Sequence, residues 1–570
     1  MNRNITIVAL ASFLLAACGP KTADIIVYGD VRTCDGNLPD AEALAIRNGR
    51  FIYVGDREGA DKYLRDGRTR VIDHKEGLVI PSFFESHAHY FVAFASDYYG
   101  FQIDYDTDNV ASTLEKVKEN YALARAEGRN CVFGNGWNMI TFQNEGEPDV
   151  KELDAVCPDI PLLLVNSEGH SALANSACMK KAGIIDDEGR VLRDSIRGGR
   201  IEFDAEGRPT GLFHEQAATY LRLHGIDFNE LLTDQIAAEV LERTADTLHA
   251  LGITSYMDGW SNYFGTDVFP RVARRLDKEG RLGMNLGVSY EIESSTDNLE
   301  AEIEQAFSWR KYRTGHVHPD YVKLFMDGTV EGGTGFVFDA YPDGHKVGAN
   351  WEQDEVAAIT GRVNGSGRTM HIHTMGDAAV NRAVNAFEQA GSREARNTIV
   401  HVYNMLPEDY GRCADNGVVA VTSMIWHVLA DDEAPFVYPF VPKETIRDMY
   451  PMKSFFDNGV VATAHTDFPA TAGSPIDPFW IMEISVTGLC GPMDANVPFN
   501  PHELLTREQA LQAFTINGAW QMHLEKERGS ITEGKYADFL LVDRNFLECP
   551  VDSIHCTEVL STWFEGRQVR

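Results

Sequence analysis

Positive charge is scarce in this chain: Lys and Arg total 51 against 85 Asp and Glu, a formal charge of −34 over 570 residues. Nucleic acid and anionic lipid surfaces are both gripped by clustered cations, so neither is the main partner. A solvated acidic surface accounts for the imbalance. Cysteine is sparse and unpatterned, nine residues without a CxxC pair, which argues against a thiolate zinc site. Cys549 and Cys556 are the only close pair, and a bridge between them stays open. Beyond the first residues no apolar run has the length of a membrane-spanning helix.

The N-terminus is set apart from the rest. A basic Arg3 precedes an apolar run over residues 5–17, too short to span a bilayer as a mature helix. Its end, Leu15-Ala16-Ala17-Cys18, resembles the lipobox of bacterial lipoproteins. The resemblance implies a signal peptide over residues 1–17, cleavage before Cys18 and a diacylglyceryl group on its sulfur; the alternative is an ordinary secretory signal. Either way the chain is expected to be exported. By the same resemblance, Gly19 rather than Asp after the cysteine implies the outer membrane, where the host has one, facing the periplasm, with the lipid as the only membrane contact.

The remainder is long enough for several domains or one barrel with insertions. Residues 23–72 and the far C-terminus both read as short strands with tight turns, such as Asn48-Gly49 and Gly55-Asp56. Too few strands lie at either end to bury a face alone, so one small β-sandwich assembled from 18–75 and 525–570 is expected. Between them, over 76–524, apolar strands alternate with helical patterns. The candidate strands are 78–84, 253–258, 284–290, 321–326, 369–373, 398–402, 418–424 and 460–464. Eight such repeats predict an α/β fold, a (β/α)8 TIM-like barrel. Residues from about 104 to 230 are too many for one crossover and read as a subdomain inserted over the barrel mouth.

Chemistry collects at the strand ends. Pro81-Ser-Phe-Phe-Glu-Ser-His87-Ala-His89 ends an apolar run in two histidines of the same strand parity, able to meet one metal ion. His373 and His401 end two later strands, Asp467 follows the last, and Lys323 lies within the fourth. Polar side chains at one end of parallel strands converge. Four imidazoles and a carboxylate exceed one tetrahedral zinc shell, so two metals are expected. A bare Lys323 ammonium would repel them. It is either carbamylated, becoming an anionic bridging ligand, or paired with an acid such as Asp327.

Together these segments, with Val322-Lys-Leu-Phe-Met-Asp-Gly328, His373-Thr-Met-Gly-Asp377, His401 and Thr466-Asp-Phe-Pro469, resemble the amidohydrolase superfamily, in its amidohydrolase-3 or YtcJ-like branch. Gly169-His-Ser-Ala-Leu-Ala-Asn175 and Gly211-Leu-Phe-His-Glu215 extend the likeness over almost all of residues 23–570. The resemblance implies His87 and His89 on one divalent metal, His373 and His401 on the other, both zinc, and carbamylated Lys323 between them. Asp467 is then ligand and general base. It also implies a place near the active site for His170, as a substrate-binding residue or a loop histidine hydrogen-bonded locally, and Trp137 is either a pocket wall that binds substrate or insertion core. His427 and Glu215 are weaker candidates. His214, His249, His316, His318, His465, His502, His523 and His555 are assigned to surface, capping or supporting roles. The chain departs from the branch at Val400, where Glu is usual, at Thr466, where Ser is usual, and at Ser423-Met-Ile-Trp-His427, where Gln-Pro is usual.

The expected function is hydrolysis of a C–N bond other than a peptide bond, in an amide or an N-acyl or N-formyl small molecule. The alternatives are an esterase or lactonase using the same metal-activated water, and a metal-containing binding lipoprotein without turnover. Oligomeric state is left open.

Overall fold

Short runs of β-branched and aromatic residues, buried on both faces, suit strands of a parallel sheet covered by helices. Eight of them form one sheet in the computed structural model, which describes residues 22–570 except 105–106, 139–140, 143–144, 168, 230, 331, 428–448, 471–475 and 490–497. The signal segment and Cys18 lie outside the described residues. The strands are Phe83–Ala88, Ile253–Asp258, Asn285–Glu291, Val317–Phe325, Thr369–Thr374, Thr398–His401, Val419–Thr422 and Val461–Ala464, paired in parallel in chain order. Every residue of Thr369–Thr374 is buried, as a strand inside a ring of helices must be.

The ring is drawn together at its carboxyl end by the first and last strands. The Glu85 carboxylate accepts the amides of His87 at 3.0 Å and Thr466 at 3.2 Å. The amide of Asp467 donates to the His87 carbonyl at 3.1 Å, and that of His89 to the Phe468 carbonyl at 2.7 Å. These bonds fix the first histidine pair against Asp467.

The crossover helix Asp234–Ala250 shows how local sequence sets an element. Thr233 caps it by accepting the Ile236 amide, and Ala237, Val240, Leu241 and Leu248 form its buried stripe. Gly252, at φ +77°, ends it where a side chain would be strained. Leu241 and Leu248 are fully buried; truncating either to Ala costs about 2–5 kcal/mol.

Two boundaries differ from expectation. The first barrel strand begins at Phe83; residues 78–81 belong to the neighbouring strand Arg70–Pro81, which pairs with Ile25–Arg32 and Phe539–Val542. Proline has no amide to continue a ladder, and the chain passes from one sheet to the other at Ser82. His87 therefore sits inside its strand, and His89 stands just before the helix that follows, its side chain making no capping bond. The inserted subdomain also starts earlier: its six-stranded sheet runs from Gly100–Gln102 to Pro209–Glu215.

Both chain ends do share one unit. Its strands form a single seven-stranded sheet where a two-sheet sandwich was expected. The sheet curls on itself, so that Phe51 meets Phe539 (6.3 Å between ring centroids) and Arg50 bridges to Tyr536. The apolar interior, including Val27, Leu44, Phe539 and Trp563, lies within that curl. Among the described residues Cys549 and Cys556 are free thiols, and no helix is long and apolar enough to cross a membrane.

Candidate active site

His87, His89, Lys323, His373, His401 and Asp467 all line one cavity of about 640 Å³ between the barrel mouth and the inserted sheet. The Nε2 atoms of His87 and His89 each lie 3.3 Å from Asp467 Oδ1. His87, His401 and Asp467 offer donor atoms within 4.8 Å of one another. The His373 ring stands 4.6 Å from that of His401, and its Nε2 is 3.2 Å from the Gly328 carbonyl. That contact needs an N–H donor and leaves the lone pair on Nδ1.

Backbone strain aims two of these groups. His401, Val402 and Asp467 have φ of +76°, +49° and +54°, a region non-glycine residues rarely adopt. Each costs on the order of 1–3 kcal/mol, and such residues cluster at functional sites because the surrounding structure holds them there.

The chemistry of the cluster suits a metal. His87 Nε2, His401 Nδ1 and Asp467 Oδ1 are buried without a hydrogen-bond partner among the described residues. Orphaned polar atoms are expensive unless something else satisfies them. Burial, reinforced by the Lys323 charge and neighbouring imidazoles, holds His87, His373 and His401 well below the usual histidine range, in the neutral form that ligates. Lys323 is buried and brought down to about 8 by loss of solvation, against the opposing pull of Asp467 and Glu291. Its Nζ sits 4.5 Å over the Phe325 ring. Asp327 does not pair with it; its carboxylate accepts the amides of Phe336, Met375 and Gly376, which shapes the loop after His373. Two imidazoles beside one carboxylate, two more nearby and a lysine that sheds its proton easily are a donor set for divalent metal.

Residues 70–570 match the profile of the amidohydrolase family, Amidohydro_3. The chain belongs to that family. It is 26% identical over 560 residues to an N-substituted formamide deformylase of Arthrobacter pascens, covering 95% of this chain and 97% of the relative. It is 24% identical to YtcJ of Bacillus subtilis (strain 168), over 93% of this chain and 96% of that one. A metal-dependent hydrolase from Pyrococcus horikoshii OT3 shares the fold with a TM-score of 0.70 at 20% identity, covering 92% of this chain and 99% of its own. A divalent metal and a hydrolytic activity follow for this amidohydrolase.

The inserted sheet supplies the rest of the amidohydrolase cavity. His170 lines it, with Nδ1 2.7 Å from Glu215 Oε2. Trp137 does not: of its two expected places, pocket wall contacting substrate or insertion core, it takes the core, 3% exposed with Nε1 donating to the Leu164 carbonyl. Its neighbours Asn135 and Gly136 face the cavity instead. His427 is buried against Tyr450 and Phe499, away from the lining.

Of the two further histidines beside the ligands, His371 escaped the sequence reading, and His465 was placed only among surface, capping or supporting residues. His371 hydrogen-bonds His87, and His465 packs against both His87 and His401 while meeting Ser423 Oγ at 2.9 Å. His371 lies two residues before His373 on the same face of its strand, and that period-two spacing was the available signal; His465 directly follows the last strand.

Proposed function

We propose that this protein hydrolyses the C–N bond of amides or of N-acyl and N-formyl compounds, with two divalent metal ions, zinc by donor type. The observation that carries the reading is the convergence of His87, His89, Lys323, His373, His401 and Asp467 on one cavity. The full-length likeness to a protein named for deformylation of N-substituted formamides supports the C–N choice. His87 and His89 would hold one metal and His373 and His401 the other, with Lys323, as its carbamate, supplying anionic oxygen to the pair. Metal so bound lowers the pKa of water toward neutrality and polarises a carbonyl.

The chain's own residues do the remainder. Asp467 takes the proton of the attacking water and returns it to the departing nitrogen. Phe94, Phe325 and Phe468 give the cavity apolar walls, and Gln102 and Asn135 give it an amide-lined side. A small molecule with an apolar substituent on nitrogen fits such a lining.

The test is Asp467→Asn. Turnover of an N-substituted formamide should fall about 10²–10⁴-fold, while folding and bound metal persist. A metal-loaded wild type with no activity on any amide would favour the binding protein instead.

The same reading includes export and a lipid anchor on Cys18, facing the periplasm from the outer membrane. Labelled fatty acid should enter the wild-type chain and not Cys18→Ser. Label retained in that variant would end the anchor proposal.

A further inference from the structure

Away from the cavity, near the C-terminus, a carboxylate, an imidazole and a thiol stand in line. Glu483 is buried on the helix Pro478–Thr487, and the short 3-10 helix Val551–Cys556 packs against that helix. Glu483 Oε2 accepts the amide of His555 at 2.9 Å and lies 2.7 Å from its ring Nδ1. The other ring nitrogen, Nε2, lies 3.3 Å from Cys556 Sγ. Trp480 packs on the imidazole, ring centroids 4.3 Å apart. The helix beneath is seated in the core, where Phe479 meets Phe83 of the first barrel strand at 5.5 Å and Phe546 at 5.1 Å. An imidazole tied twice to one buried carboxylate and packed on an indole has little freedom to turn. Cys556 is the one exposed thiol among the described residues. Cys549, just before the same 3-10 helix, is held differently: its Sγ donates to the Pro550 carbonyl at 3.3 Å, and burial pushes its thiol up.

A carboxylate on Nδ1 fixes the tautomer of a neutral imidazole: the proton stays at Nδ1 and the lone pair is presented by Nε2. Here that lone pair meets the thiol. Thiols attack as thiolates, and a base set beside the sulfur, itself oriented by a third group, takes the proton as the new bond forms. We propose that Cys556 is a modification site, a surface thiol that His555 and Glu483 equip to exchange with low-molecular-weight disulfides. The Cys556 proton passes to His555 Nε2, the sulfur attacks one sulfur of the disulfide, and the S–S bond breaks. The departing thiolate takes the proton back from Nε2. A mixed disulfide is left on Cys556 and one small thiol is released, Cys556 being oxidised and the departing sulfur reduced. Glu483 touches neither sulfur and is the positioning residue. None of the three side chains lines the hydrolase cavity, so the inference is independent of the amide-hydrolase reading.

Exposure alone would make Cys556 react first, so the experiment separates exposure from activation. The full chain is treated at neutral pH with bis(hydroxyethyl) disulfide, folded and in urea, and peptide mass mapping follows each cysteine. Cys556 should react at least about 10-fold faster in the folded chain than in the unfolded one. His555 neighbours Cys556 in sequence in both states, so the excess measures the geometry that Glu483 holds. His555→Phe, which keeps a ring against Trp480 and removes the base, should bring the folded rate down to the unfolded one. Glu483→Gln should lose part of the excess. In both variants the buried Cys131 and Cys413 should stay protected, a readout that a loosened fold would move. Cys556 reacting no faster folded than unfolded overturns the proposal, as does an excess that survives His555→Phe. The wild-type comparison needs no variant and holds if one fails to fold.

Discussion

His371 lies face to face with His87, ring centroids 4.9 Å apart, with its Nε2 2.7 Å from His87 Nδ1. The contact occupies the inner nitrogen of His87 and turns its Nε2 toward Asp467. Groups that hold the far nitrogen of a ligating histidine set its tautomer and orientation.

His371→Phe should therefore weaken metal binding by about 10–100-fold while the barrel still forms, because the ring volume is kept. Competition with a chelator of known affinity measures it. Unchanged affinity would make His371 a packing residue only.

Lys323 carries the next prediction. Wild type prepared with bicarbonate should hold about two equivalents of transition metal per chain, falling toward one in Lys323→Ala. Plasma mass spectrometry counts the metal. A single equivalent in both proteins would mean an unmodified lysine and a mononuclear centre. Removing metal from wild type should abolish turnover, and adding it back should restore it.

Much of this site was legible in the sequence because barrel strands put function at one end. His87, His89, His373, His401 and Asp467 could be placed from apolar runs that stop at a polar residue, and all five reach the cavity. What failed was whatever depended on packing between distant segments. Trp137 lies in a glycine-rich strand beside the cavity, and only the fold shows which face it takes. His371 looked like an ordinary strand residue because its partner, His87, comes from another strand. The single curled sheet at the chain ends was hidden for a similar reason: strand count does not say whether two layers are separate sheets or halves of one.

Gly259 supplies a sharper test of how tightly the cluster is packed. It follows the second barrel strand, and a Cβ there would lie 2.2 Å from His87 Cε1. Gly259→Ala cannot be accommodated without displacing that imidazole. Overpacking of this kind costs about 1–3 kcal/mol of stability, but the larger effect should fall on metal content, since His87 must leave its place beside Asp467. A variant that keeps full metal and activity would show that the ring can shift without losing its role.

The last prediction concerns pH and lies far from the cavity. His316 joins the barrel to the chain-end sheet, with Nδ1 2.6 Å from Asp277 and Nε2 3.0 Å from Glu565, which Arg528 also meets. Burial alone would lower its pKa, yet hydrogen bonds to both carboxylates prevail and raise it to about 9. Glu565 is burdened by burial too, but His316 and Arg528 bring it down to about 2. A histidine raised above its unfolded value of about 6.5 adds stability that is full below that pH. The contribution fades as pH climbs through 9 and the proton is lost. The Glu565 share behaves oppositely: it is present above about pH 4.5 and fades as pH falls toward 2. Allowing for partial exposure and for sharing between partners, the histidine's part is about 2 kcal/mol. His316→Gln should thus unfold at lower denaturant than wild type at pH 6, and the two midpoints should converge above pH 9. Both proteins must be compared at equal metal loading, since bound metal shifts every midpoint. A difference that stays constant from pH 6 to 10 would assign the effect to lost packing, with the charge contributing nothing.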